Sequence, residues 1–161
     1  VSVGKDTYKS TGYAMIPHFS WEEAKEMVDS GLVSIQSHTY DMHQWEPFEL
    51  ASLGVCLRPN LLRQDWETEE EYAKALHSDL NRSRKGIEEG TGESVTVLSY
   101  PGGCYDQLSE ELLASYGIKC TLTIQPGKAE IRPGEPESLY GLNRSYVTPS
   151  TTEEEFLSWV L

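Results

Sequence analysis

The sequence predicts an α/β fold in a single domain, with mainly parallel strands. Three observations carry this. Short β-rich runs alternate with helical ones along 161 residues, a length that suits one domain. Two capping boxes, Ser20 with Glu23 and Thr68 with Glu71, mark helix starts between those runs. Gly31, Gly90 and Gly117 then stand where the helical patterns end.

Taken in order, Thr11 to Ile16 reads as a strand. The Ser20 box opens a helix through Ala24, Met27 and Val28, and Leu32 to Gln36 reads as a short buried strand. The Thr68 box opens a second helix. It carries Tyr72, Ala75, Leu76 and Leu80 on one face and runs to about Ile87 before Gly90. Val95 to Tyr100 is rich in β-branched residues and reads as a strand. A helix over Leu108 to Tyr116 follows, then a strand over Ile118 to Ile124. Gln125 to Glu137 holds three prolines and two glycines and reads as a loop. Leu139 to Val147 reads as a short strand, and Thr151 to Leu161 as a last helix with an acidic first turn.

Hydrophobic residues make up 38% of the chain, enough for a core, which argues against a disordered chain. No apolar run approaches the roughly 18 residues of a membrane span. No signal peptide is legible and the chain opens on Val1, so processing or truncation is an expectation. The net charge of −13 repels phosphate backbones and anionic lipid, which disfavours nucleic acid and membrane surfaces as partners. Three acidic clusters, Glu67 with Glu69 to Glu71, Glu88 with Glu89 and Glu93, and Glu153 to Glu155, read as solvated surface near helix ends. Cys56, Cys104 and Cys120 form no CxxC pattern, so a zinc ribbon is excluded. Buried free thiols are expected, with a Cys104 to Cys120 bridge left open.

In a fold of parallel strands, ligands sit beyond the carboxyl ends of the strands. The two most unusual segments fall there. The first is Ser37-His38-Thr39-Tyr40-Asp41-Met42-His43. Histidines five apart on a helix would stand about 140° apart around its axis, so they converge only in a loop. Converged imidazoles are good ligands for a divalent ion, but a catalytic zinc takes three protein ligands. Asp41 and Glu46 are nearby carboxylates, and neither spacing compels it to be the third. Two incidental histidines, one packed and one exposed, remain an equal reading. The second segment is Leu98-Ser99-Tyr100-Pro101-Gly102-Gly103-Cys104-Tyr105-Asp106. Pro-Gly-Gly after a strand is first a turn. As function it is a site wall, where glycine admits a ligand and tyrosines stack on sugar rings. His77 reads as a helix-surface residue, His18 as a loop residue, and Arg144 as a late-strand residue able to pair with a carboxylate. No GxSxG, phosphate loop or dinucleotide fingerprint occurs.

The histidine segment closely resembles the second motif of the polysaccharide deacetylases (the NodB-homology group, carbohydrate esterase family 4). Its spacing of five is similar to the poly-N-acetylglucosamine deacetylase branch. Trp21-Glu22-Glu23 through Ser30-Gly31-Leu32, Tyr100-Pro101-Gly102-Gly103, the stretch Leu108 to Ile124, Leu142-Asn143-Arg144 and Phe156 resemble that branch as well.

The resemblance implies a partial, distorted (β/α) barrel lacking its N-terminal strand or strands. Residues 1–161 would be one domain, the C-terminal portion of a deacetylase domain. It implies metal-assisted removal of N-acetyl or O-acetyl groups from a cell-envelope or exopolysaccharide glycan. His38 and His43 would bind a divalent metal, zinc by preference. Thr39, Tyr100, Pro101, Gly102, Gly103 and Tyr105 would serve the substrate. The family's first motif, two adjacent aspartates supplying a ligand and the base, occurs nowhere in the chain. Only Asp6 precedes Thr11, so no catalytic base is assigned and the aspartates are expected upstream of Val1. Ser99 stands where many members have arginine, Gly102 where an aromatic is common, and Asn143-Arg144 near where Leu-x-His would fall.

These departures imply little activity in the 161-residue chain. They also support a second hypothesis, a non-catalytic carbohydrate-binding or scaffold module that keeps the fold. A third is a different metal hydrolase using Asp41. A barrel open at one side would expose a strand edge able to self-associate. Family resemblance places the protein outside the cell or at its surface.

Overall fold

Two reciprocal capping boxes start the first two helices. In the computed structural model, which describes residues 3–8, 11–44 and 57–160, the Ser20 hydroxyl accepts from the Glu23 N–H at 3.2 Å. The Glu23 carboxylate accepts in return from the Ser20 N–H at 2.7 Å. Helix α1 then spans Trp21–Asp29 and ends where Gly31 takes φ +73°. Thr68 and Glu71 exchange the same pair of bonds at the head of α2, Glu69–Thr91. Cys56 and Glu46 lie outside the described residues, as does Leu161 of the expected last helix.

The second helix runs past the stop expected at Gly90. Gly90 is helical, and the αL cap falls at Gly92. Gly90 serves packing instead: the Trp21 indole lies on the Gly86–Gly90 surface, and a Cβ on Gly90 would overlap that ring. This close approach joins α1 to α2. Tyr72, Leu76, Leu80 and Ile87 of α2 then pack with Leu61, Val95, Leu98, Tyr100, Leu113 and Ile118 to form the core.

A small parallel sheet lies beside α2. β1 (Val97–Ser99) pairs in parallel with β2 (Cys120–Leu122), joined by helix α3 (Gln107–Ser115). Asp106 caps α3, and Gly117, at φ +85°, follows its end. Single parallel bridges extend the sheet on both sides, Ser37 to Leu98 and Leu122 to Leu142. The order is therefore the Ser37 segment, β1, β2 and the Leu142 segment. Short 3-10 turns cover Pro101–Gly103 and Pro136–Leu139, and α4 spans Glu153–Val160. No described helix is long and apolar enough to cross a membrane.

All five expected strands are shorter than the sequence suggests: Val95 to Tyr100 and Ile118 to Ile124 keep three residues each, and the other three form no regular strand. Thr11 to Ile16 makes one antiparallel bridge, Ala14 to Thr7, and leaves Tyr13 and Ile16 exposed. With no sheet to cover it, its β-rich composition buries little. Leu32 to Gln36 is irregular, and Leu32 is 88% exposed. The reason is local. The Gln36 side-chain carbonyl accepts from the Thr96 and Val97 N–H groups at 3.0 Å each, taking a place in the ladder that backbone would fill. Leu139 to Val147 contributes only the Leu142 bridge, though further bonds run from Leu142 N–H to Thr121 O and from Arg144 N–H to Gln125 O.

Not every acidic residue is solvated surface. Glu67 is nearly buried and forms an ion pair with Arg58. Glu93 accepts from the Ile35 N–H at 2.6 Å. Cys104 and Cys120 are free and half-buried, so the open disulfide between them does not form.

Candidate functional site

Ser37 ends its strand segment by bonding to both sides of Leu98: its N–H donates to Val97 O at 3.2 Å and its carbonyl accepts from Ser99 N–H at 3.0 Å. The chain then leaves the sheet at its carboxyl edge and turns sharply. Thr39 takes φ +69°, a left-handed conformation rare for a β-branched residue. That turn brings the two histidines together. The imidazole centroids of His38 and His43 lie 5.2 Å apart with the rings at 71°. The loop geometry therefore achieves what helical spacing could not.

Each imidazole is oriented by a carbonyl. His38 Nδ1 donates to Ser99 O at 2.8 Å, and His43 Nδ1 lies 3.3 Å from Pro59 O. A bond of that kind fixes the tautomer and leaves His38 Nε2 as the lone-pair nitrogen. Burial pushes the His38 pKa below its ordinary value. The Ser99 carbonyl opposes this, while His43 and Arg144 add to it. A neutral imidazole is the form that binds metal. Arg144 reaches this corner from the Leu142 segment, and its guanidinium donates to Ser99 Oγ at 3.0 Å. The expected carboxylate partner of Arg144 is thus replaced by a hydroxyl at the strand end.

The loop is also held from α2. The Asp79 carboxylate, 7% exposed, accepts from the Tyr40 and Asp41 N–H groups at 2.7 Å each. Burial raises its pKa, and those two donors oppose the rise. Ser83 and Ser37 share a hydroxyl–hydroxyl bond of 2.8 Å. The Arg82 guanidinium lies 3.8 Å over the Tyr40 ring. Thr39, expected to serve the substrate, is buried, and its Oγ1 accepts from Met42 N–H at 3.3 Å within the loop. Sequence reading missed Asp79, Arg82 and Ser83. The legible signal was Asp79 and Ser83 on the same stripe as Leu76, Leu80 and Ile87, where an apolar residue is the rule.

A cavity of about 340 Å³ opens beside the histidines, lined in part by His18, Trp21, Ile35, Tyr40 and Asp41. Asp41 and His18 thus lie on the same cavity as the histidine pair. Among the described residues no set of three His, Cys, Asp or Glu side chains converges as a metal site, so Asp41 does not complete one. The chemistry of the pair fits two ligands of a divalent ion and leaves the remaining ligands to other groups.

The second strand-end segment departs from its expected role. Tyr100 is 0% exposed, and its hydroxyl donates to Glu110 at 3.0 Å. Pro101 is buried as well. Both are core residues, because the chain turns inward at Tyr100, whose N–H donates to Leu122 O. Gly102 and Tyr105 are exposed and Gly103 is half-buried. The Tyr105 ring stacks on Tyr100 with centroids 4.7 Å apart, and the residue is 43% exposed. His77 stays on the α2 surface, stacked on Tyr116.

The sequence profile of the polysaccharide deacetylases matches residues 4–121, which include both histidines and the whole Tyr100 turn. The chain belongs to the polysaccharide deacetylase family. Its fold agrees with solved members. IcaB from Ammonifex degensii superposes with a TM-score of 0.66 at 26% identity, covering 98% of this chain and 57% of that one. A de-N-acetylase from Aggregatibacter actinomycetemcomitans gives 0.66 at 22% identity, covering 91% and 57%. A Bacillus subtilis protein provisionally named as a polysaccharide deacetylase, YxkH, is 25% identical over 143 residues, 89% of this chain and 41% of its own length. The chain thus spans roughly half the length of these relatives, and its architecture is a partial α/β barrel of their type.

Proposed function

We propose that this chain carries the histidine ligands of a metal-dependent deacetylase that removes N-acetyl, or O-acetyl, groups from a cell-envelope or exopolysaccharide glycan. The observation that carries the reading is the His38–His43 pair, held at a strand end by carbonyl acceptors. A divalent ion, zinc by preference, would supply Lewis acidity and an activated water there. The chain's own residues orient both imidazoles through carbonyl oxygens, burial favours the neutral form of His38, and Arg144 sets a positive charge beside them. The acidic surface suits a neutral or partly deacetylated, cationic glycan and disfavours polyanions. A glycan of this kind lies outside the cell or at its surface, where the protein would act.

The 161 residues contain no adjacent aspartates, so they hold two ligands without the family's base. We therefore expect His-dependent metal binding from the purified chain and little or no acetate release from chito-oligomers. Co²⁺ titration monitored by absorption tests the first part, with binding lost in His38→Ala and His43→Ala. Binding that persists in both variants would sink the metal reading. Acetate release at a rate typical of the family would sink the inactivity.

A second reading, a carbohydrate-binding module, is favoured by one observation: the exposure of Tyr105, an aromatic side chain of the kind that stacks on sugar rings. Glycan binding by the metal-free chain that is lost in Tyr105→Ala would support it. The Ser37 segment is the expected edge for self-association, and a monodisperse monomer in sedimentation would argue against that.

A further inference from the structure

Asp79 is a carboxylate in an apolar stripe. Its neighbours on α2, Tyr72, Leu76, Leu80 and Ile87, are core residues. Burying an ionisable group there is costly unless the group is paired or hydrogen-bonded. Both oxygens are in fact used, one on Tyr40 N–H and one on Asp41 N–H, each at 2.7 Å. Successive N–H groups that converge on one anion form a cradle of the kind that binds phosphates elsewhere. Here the chain fills its own cradle.

The location of that cradle is informative. Tyr40 and Asp41 lie midway between His38 and His43, so the carboxylate grips the turn at its centre. The turn holds a conformation it would not choose alone, with Thr39 at φ +69°. Strain of this kind persists only where the surroundings over-determine it. Ser83, one turn along α2 from Asp79, fixes the start of the loop through Ser37. The separation of the imidazoles depends on the backbone path between them, and Asp79 is a buried anchor at its midpoint.

We infer that Asp79 is a positioning residue for the histidine pair: its carboxylate sets the turn through the Tyr40 and Asp41 amides and so the spacing and orientation of His38 and His43. The consequence for metal affinity rests on the metal reading above. The spacing itself does not.

The test uses the whole chain and the isosteric variant Asp79→Asn, which puts an amide donor against one of the two N–H groups. In the metal-free wild type, NMR should show a nuclear Overhauser contact between the His38 and His43 ring protons. It should also show hydrogen-bond scalar couplings from the Asp79 carboxyl carbon to the amide nitrogens of Tyr40 and Asp41. In Asp79→Asn the ring contact should weaken or vanish, and Co²⁺ affinity should fall at least tenfold, the usual scale for groups that orient metal ligands. Ile118→Val, in the core and off the cavity beside the histidines, should lower the unfolding midpoint while keeping the ring contact and the affinity, which separates positioning from general stability.

Absence of the couplings in the wild type overturns the inference even if no variant folds. So does an Asp79→Asn chain that keeps both the ring contact and the affinity, in which case the metal reading stands. Loss of the ring contact in Asp79→Asn, alongside a wild type without His-dependent Co²⁺ binding, supports the inference and removes the metal reading instead.

Discussion

The two segments beyond the parallel strands are held by different physics. The histidine loop is held by polar side-chain contacts: Asp79 on two amides, Thr39 on the Met42 amide, and the Ser83 hydroxyl on that of Ser37. The Pro-Gly-Gly turn is held by burial and close approach. Tyr100 and Pro101 sit in the core, and Gly103, at φ +68°, leaves a Cβ position only 2.5 Å from Ile124 Cγ1. The difference teaches that the chemical residues rest on a few replaceable hydrogen bonds, while the neighbouring turn belongs to the scaffold. Damage to the first should appear in ligand binding and damage to the second in stability.

The largest separating effect is expected from Gly103→Ala. The new methyl meets Ile124 and the residue is forced to positive φ, so stability should fall by about 2–3 kcal/mol. Urea unfolding measures this. Co²⁺ affinity should stay within a factor of about two, with about 0.4 kcal/mol corresponding to that factor. A large affinity loss without a stability loss would break the comparison.

A smaller effect should follow Tyr100→Phe. It removes the hydroxyl donated to Glu110, for a cost of about 1 kcal/mol, and leaves the half-buried carboxylate to water. If the same variant instead altered glycan binding and left the urea midpoint unchanged, Tyr100 would belong to the substrate groove after all.

The smallest effect is a pH dependence in the first loop. The folded His38 pKa lies below the ordinary value of 6.5. Between the two values the unfolded chain binds more protons, so stability should rise with pH across that window and level off above it. His38→Asn should flatten that part of the profile. NMR titration of the His38 ring should give a midpoint below 6.5. A midpoint above that value would show that the Ser99 carbonyl outweighs burial and would weaken the picture of an imidazole poised for metal.

Much of the outline was legible beforehand. Both capping boxes are local, since their two partners sit three residues apart, and sequence alone specifies them. The Tyr72, Leu76 and Leu80 stripe is equally local. Strand limits were less legible, because a strand needs a partner. Gln36 shows why: its side chain occupies the ladder, and no pattern in the run around it announces that. Gly90 misled for a related reason. Glycine at a helix end and glycine under a tryptophan look alike until the second helix is in place.

The candidate site divides in the same way. The sequence by itself determined that two histidines flank a short polar loop after a β-rich run, and that the family's adjacent aspartates are not among these residues. It could not decide whether the imidazoles meet. That depends on one left-handed residue and on a carboxylate 38 positions beyond Asp41, brought in by α2. The tertiary structure also decided that Tyr100 is core while Tyr105 faces water. Residue type fixes which chemistry is available, and convergence and burial are set by long-range packing that no local pattern encodes.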